Sequence, residues 1–315
     1  MRRKAITSAG KTLNSDFIAP LINFLSDKKF RDKARESLIC YNTPIITIFL
    51  SAVEQRTTSI KALRYLPSVM ENFNSQRSIE ALFELLNDVD LSIRIEAVRS
   101  LKNLKGSFPE LIFNIKKIDR HILKEGGVYL NTLSAMYTQI IINYRRKQKK
   151  SPKEHSTREE KMRRELIDLL EKRLVINLEL IFGLLGLKYP SEEISFVYNG
   201  IHSSNPELQT NAIEFLDNLL ESDLKRILIP VVETIVLDSN SEDALRSLRL
   251  SIPDEKECFE ILLEGNDQQI KIAVLHLIAQ LDNKKYVPII EEYSKSENIT
   301  ISTLATETIN KISKI

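Results

Sequence analysis

A small residue followed four positions later by a large aliphatic one recurs through this chain inside helix-like segments: Ala34/Leu38, Ala62/Leu66, Ala97/Leu101, Ala212/Leu216, Ala244/Leu248, Ala273/Leu277 and Ala305/Ile309. The alanines stand 28, 35, 115, 32, 29 and 32 residues apart. Placing Ala135 and Gly183 in the same slot divides the long gap into steps of 38, 48 and 29 and gives nine units. Gly183 is followed by Leu187 as the pattern asks, whereas Ala135 is followed by Gln139. Near Ala273 the phase is open by one residue, because matching Ile270-Lys271 to Ile93-Arg94 puts Val274 in the slot. Residues i and i+4 share a helix face, so a small side chain beside a large one lets a neighbouring helix approach to the short end of the usual ~8–10 Å separation.

Upstream of the slots lie further amphipathic segments, such as Phe17-Ile18-x-x-Leu21-Ile22-x-x-Leu25 and Ile79-x-x-Leu82-Phe83-x-x-Leu86, with the helical period. Turn residues separate the members: Ser26-Asp27, Asn87-Asp88, Ser203-Ser204-Asn205-Pro206 and Gly265-Asn266-Asp267. Only 8 glycines and 10 prolines punctuate 315 residues, which disfavours a fold of many strands and tight turns. A helix–turn–helix unit repeating at about 30 residues predicts an all-α protein, a HEAT-type α-solenoid in which helix pairs stack into a right-handed superhelix. The alternative, an ordinary helical bundle, has no need of fixed spacing. The expected organisation is one continuous solenoid with an amino-terminal lobe over 1–144, a basic flexible loop over 145–160 and a carboxy-terminal lobe over 161–315. Gly126-Gly127 should kink or interrupt the helix they start.

Charge excludes several function classes. The 45 Lys+Arg against 43 Asp+Glu leave a net +2, so no global field recruits nucleic acid or membrane. The longest apolar run, Thr43 to Val53, is far short of the ~20 residues of a bilayer span, and Met1-Arg2-Arg3-Lys4 lacks the apolar segment of a secretory signal. Cys40 and Cys258 form no framework and read as reduced packing residues, and the four histidines have no ligand spacing, so no metal is expected. His276, between Leu275 and Leu277, reads as a packed helix residue. Ala9-Gly10-Lys11-Thr12 resembles the tail of a phosphate loop but lacks its first glycine, that position being Ala5. There is neither G-x-S-x-G nor G-x-G-x-x-G, and Glu192-Glu193 and Glu291-Glu292 read as solvated helix-start or surface pairs. These patterns predict no catalytic residue and no cofactor: a chain that is not an enzyme.

The stretch from Arg145 to Arg164 holds ten Lys/Arg and three Glu, a local +7 that leaves −5 for the remainder. The candidate partner-binding residues here are Arg145, Arg146, Lys147, Lys149 and Lys150, which would meet an acidic partner or, weakly, anionic lipid; the competing reading is a loop kept solvated by its charge. Arg64 and Arg99 each follow a small slot by two residues and are the candidates for a common surface in consecutive repeats. Arg31 and Arg94, with Asp27 and Asp88 in the preceding turns, suggest acid–base rows that tie one repeat to the next. Without Trp, and with the solenoid slightly acidic outside the loop, no nucleic-acid partner is expected.

The run Asn177-Leu178-Glu179-Leu180-Ile181-Phe182-Gly183-Leu184-Leu185-Gly186-Leu187-Lys188-Tyr189-Pro190 and the run from Asn205-Pro206-Glu207-Leu208 through Ala212-Ile213-Glu214-Phe215-Leu216 to Leu220 resemble the carboxy-terminal HEAT-repeat region of bacterial membrane proteins related to ADP/ATP translocases. The resemblance covers the chain loosely from Asp16 onward and is most specific from Glu165 to Glu233. In that family a major-facilitator-like carrier module precedes a cytoplasmic HEAT extension, and no carrier module lies in these 315 residues. The resemblance implies a non-enzymatic scaffold with a protein partner, in the cytoplasm at the inner face of the membrane and attached to a carrier module. The alternatives are a free cytosolic scaffold and a HEAT-like enzyme of the DNA-glycosylase or bilin-lyase class.

Overall fold

The computed structural model describes residues 2–148, 157–236 and 252–313. It is 81% helix, with no strand among the described residues, so the chain is all-α. Two compact units divide it, 1–121 with 183–191 and 122–182 with 192–315. The division does not follow the basic segment; it cuts the two longest helices, Ile115–Gln148 and Arg158–Lys188, after residues 121 and 182.

The first unit holds α1 (Arg2–Thr12), α2 (Ile18–Phe24), α3 (Arg31–Ile39), α4 (Ile46–Glu54), α5 (Ile60–Leu63), α6 (Leu66–Met70), α7 (Gln76–Leu85) and α8 (Leu91–Ser107). Packing joins α2 to α3 and α7 to α8, and from one pair to the next α1 to α3, α3 to α6, α4 to α7 and α6 to α8. The slot residues Ala34, Ala62 and Ala97 and their partners Leu38, Leu66 and Leu101 are all fully buried. Burying each leucine supplies about 1.5–3 kcal/mol, and the alanine beside it admits the neighbouring helix. One expected helix is broken, because Pro67 lacks the N–H that would bond to Leu63 O and its ring crowds that carbonyl, so Ala62 and Leu66 fall on separate short helices. Ala9-Gly10-Lys11-Thr12 lies inside α1, where a Cβ on Gly10 would stand 2.7 Å from the Cα of Ser37: this glycine serves helix contact, not a phosphate. Gly183 does the same against Val98, whose Cγ1 would be 2.5 Å from an added Cβ.

The second unit is built on most of α9 (Ile115–Gln148) and α10 (Arg158–Lys188), followed by α11 (Ser191–Ile201), α12 (Pro206–Leu219), α13 (Ser222–Val236), α14 (Glu255–Glu264), α15 (Gln268–Leu281), α16 (Val287–Ile290) and α17 (Ile299–Ser313). The 48-residue step in the repeat becomes an antiparallel pair of long helices, tied by Arg146 to Glu159, Arg163 to Gln139, and Asn177 Nδ2 donating to Glu125 Oε2 at 2.8 Å. Helix α9 runs uninterrupted through Gly126-Gly127, contrary to the expected interruption. A Cβ on Gly126 would lie 2.4 Å from Ile227 Cγ2, so this glycine admits α13. Ala135, Ala212 and Ala305 are fully buried, and Val274 rather than the half-buried Ala273 fills the slot in α15. Ala244 lies outside the described residues. Asn205 caps α12 ahead of Pro206, and Asp267 caps α15 through bonds from Gln269 N at 2.9 Å and Ile270 N at 3.2 Å.

Polar contacts recur one repeat apart in both units. Ser37 Oγ donates to Ile6 O (separation 31), Arg56 pairs with Asp88 (32), Asn103 donates to Glu71 (32) and Gln76 to Ile112 O (36) in the first; Tyr286 donates to Glu255 (31), and Lys311 pairs with Asp282 in the second. An acid–base tie at Asp88 is present, and Arg56 supplies a base to it at 2.7 Å from the preceding repeat. No single described helix is long and apolar enough to cross a membrane; α3 and the segment Thr43–Glu54 pass such a test only as a pair bent by 111°.

Candidate interaction surfaces

Both ends of the basic segment are helical. Residues 145–148 complete α9 and 158–160 begin α10, where a loop is expected, and 149–156 lie outside the described residues, Lys149 and Lys150 among them. Arg, Lys and Gln are good helix formers, which carries α9 on to Gln148. At the other end Thr157 and Glu160 form a reciprocal cap: Thr157 N donates to Glu160 Oε2 at 3.2 Å and Glu160 N to Thr157 Oγ1 at 3.3 Å. Arg145, Arg146 and Lys147 thus sit in the last turn of α9, Arg145 exposed and Arg146 held against Glu159.

Beneath this end of the hairpin lies a buried ionic cluster. Arg163, on the inner face of α10, has no exposed side-chain surface. Its Nη2 lies 2.8 Å from Glu159 Oε1 and 2.7 Å from Glu255 Oε1, and its Nη1 donates to Gln139 Oε1. Gln139 donates in turn to Cys258 Sγ at 3.2 Å, and Tyr286 Oη donates to Glu255 Oε2. The four charges of Arg146, Arg163, Glu159 and Glu255 balance, which is what burial requires. Burial, with the neighbouring Glu255 charge, pushes the Cys258 thiol up to about 12 and outweighs the opposing Gln139 bond and Arg163, so the thiol stays protonated. Burial and the bond to Glu255 also raise the Tyr286 phenol well above its ordinary value near 10. Gln139, the residue that departs from the small-large pattern, is the link between this cluster and the slot at Ala135.

Arg64 and Arg99 are used separately. Arg64 donates from Nη2 to Tyr65 Oη at 3.1 Å and lies 5.0 Å from that ring, which Arg31 also covers at 4.0 Å, a cation–π arrangement on α5, α6 and α3. Arg99 is exposed and pairs with Glu96 at 2.6 Å on its own helix. His276 and Cys40 are exposed rather than packed, because each sits one position off its helix's buried stripe.

A third surface, outside the candidate residues singled out from the sequence, lies on α11 and α12. On the face of α11 and α12, Phe196 and Phe215 meet edge to face at 5.6 Å between centroids and remain 50% and 38% exposed, with Leu208 one step along α12 at 44%. The signal was available: Leu208 and Phe215 are seven residues apart, off the phase of Ala212 and Leu216, and residues 191–219 hold five Asp/Glu and no Lys or Arg.

Comparison with known proteins adds no assignment. No family model matches the chain, and no curated protein matches it. Two crystal structures described as engineered proteins align with 96% and 99% of it, over 100% and 95% of their own lengths, at 15% and 12% identity. Their TM-scores are 0.19 and 0.22, too low to carry any argument.

Proposed function

We propose that the chain is a non-enzymatic protein-interaction scaffold, a HEAT-type α-solenoid that serves as the cytoplasmic extension of a nucleotide-carrier-like membrane protein. The observation that carries the scaffold reading is the set of polar bonds one repeat apart, at separations of 31, 32 and 36 residues, laid over slots whose alanines are fully buried. Contacts at one repeat's separation are what a solenoid uses, and solenoids work by presenting extended surfaces to partners; in the second unit Arg163 and Gln139 also reach further, to Glu255 and Cys258 at separations of 92 and 119 residues. The carrier attachment rests on the resemblance of the runs from Asn177 and Asn205 alone. Burial pushes the Cys258 thiol up to about 12, which supports a packing role for that residue over a nucleophile's.

Solution scattering tests the architecture on which this reading depends. A compact globule of this length has a radius of gyration of about 20 Å. The solenoid reading requires a value clearly above that; a compact value overturns it.

A further inference from the structure

We infer that the acidic face of α11 and α12 docks a basic amphipathic peptide segment, an inference that rests on the scaffold reading and names the chemistry of its partner. Phe196 and Phe215, packed edge to face, form its centre, and the exposed Leu208 lies two helical turns from Phe215 on α12. The rings pack against each other on two closely apposed helices. One turn after Phe196 and one turn before Phe215, the two helices close to the point where a Cβ on Gly200 would stand 2.5 Å from Ala212 Cβ. Preformed aromatic anchors lose little freedom on binding, which is where interfaces gain most of their affinity.

Carboxylates surround this centre. Glu192 and Glu193 precede Phe196 by one helical turn and share its face, while Glu207 and Glu214 run beside Leu208 and Phe215 at the same seven-residue spacing. No ion pair among the described residues uses these four; Asp217, the remaining acid on the two helices, is met by Lys225 at 3.3 Å. An apolar stripe bordered by negative charge is complementary to a helix with aliphatic residues at i, i+3, i+4 and i+7 and lysine or arginine on its flanks. A second copy of this chain is a poorer occupant, because its own basic stretch from Arg145 to Thr157 has no apolar residue to cover the rings. An anionic membrane or a nucleic acid would be repelled.

The test uses the full chain and a fluorescein-labelled 14-residue peptide of leucine and lysine with leucines at that spacing, read by anisotropy. Saturable binding is expected, weakening as salt rises. Phe196→Ala with Phe215→Ala should weaken it at least tenfold, with helicity checked by circular dichroism. A second variant, E192Q/E207Q/E214Q, leaves the rings untouched and should flatten the salt dependence. Equal binding of a leucine–glutamate counterpart, equal binding of oligolysine of the same charge, or unchanged affinity in both variants would overturn the proposal. An elongated molecule that ignores the peptide removes the docking site and leaves the scaffold. A compact molecule that binds it does the reverse.

Discussion

Arg163 is the residue whose removal the structure punishes most clearly. It lies wholly buried between Glu159 and Glu255, and truncation leaves two largely buried carboxylates, Glu159 with Arg146 alone and Glu255 with the Tyr286 hydroxyl alone. Removing one partner of a buried ion pair costs ~3–5 kcal/mol, more than the desolvated pair itself contributes against an apolar substitute. Arg163→Ala should therefore lower the urea midpoint steeply, and a loss below ~1 kcal/mol would show that water reaches the cluster. The two cysteines give a second test. With its pKa near 12, Cys258 carries almost no thiolate at pH 8, whereas Cys40 is exposed. A disulfide reagent should titrate one thiol at once in the native protein and the second only in denaturant. Raising the pH from 7 to 9 should leave the slow thiol slow, since a buried thiol with its pKa near 12 is still only about 0.1% thiolate at pH 9. Two fast thiols would mean that the cluster opens readily.

At the scale of helices, the paired glycines of α9 separate two uses of one residue. A Cβ on Gly126 meets Ile227 at 2.4 Å, and one on Gly127 meets nothing within 4 Å. Gly127→Ala should stabilise by about 0.5–1 kcal/mol through helix propensity, whereas Gly126→Ala should lose more than that gain, overpacking costing ~1–3 kcal/mol. Thermal unfolding of the two variants should move in opposite directions; like shifts would place the α9–α13 contact elsewhere. Sequence periodicity located the helices and the slots at Ala34, Ala97, Ala135, Ala212 and Ala305 because both are local, set by spacings of three and four residues. The phase ambiguity at Ala273/Val274 needed the structure, since both residues fit the pattern. The break at Pro67 could have been anticipated from the proline itself. The partners of Arg163 could not, because Gln139 and Glu255 lie 24 and 92 residues away, and no local rule selects them from the other polar side chains. Exposure of Phe196 and Phe215 was hidden for the opposite reason: an apolar residue in a helical pattern reads as core until its surroundings are known.

Charge becomes a property of the whole molecule once the ion pairs are assigned. The +7 counted from Arg145 to Arg164 includes Arg163, buried and doubly paired, and Arg146, paired with Glu159. A cation held in a pair adds little to a surface potential, and each free basic residue near an anionic leaflet contributes about 1 kcal/mol. The remaining −5, concentrated in part on α11 and α12, opposes flat adsorption. The purified chain should therefore sediment weakly with vesicles containing phosphatidylserine and not with neutral ones, and the bound fraction should fall between 50 and 300 mM salt as the screening length drops below about 10 Å. Replacing Arg145, Lys147, Lys149 and Lys150 by glutamine should abolish what binding there is, while Arg146→Gln, which removes a cation already neutralised by Glu159, should leave the bound fraction nearly unchanged. Tight binding that persists at high salt, or binding that survives the quadruple substitution, would place the membrane contact on another part of the chain and remove the basic segment from it.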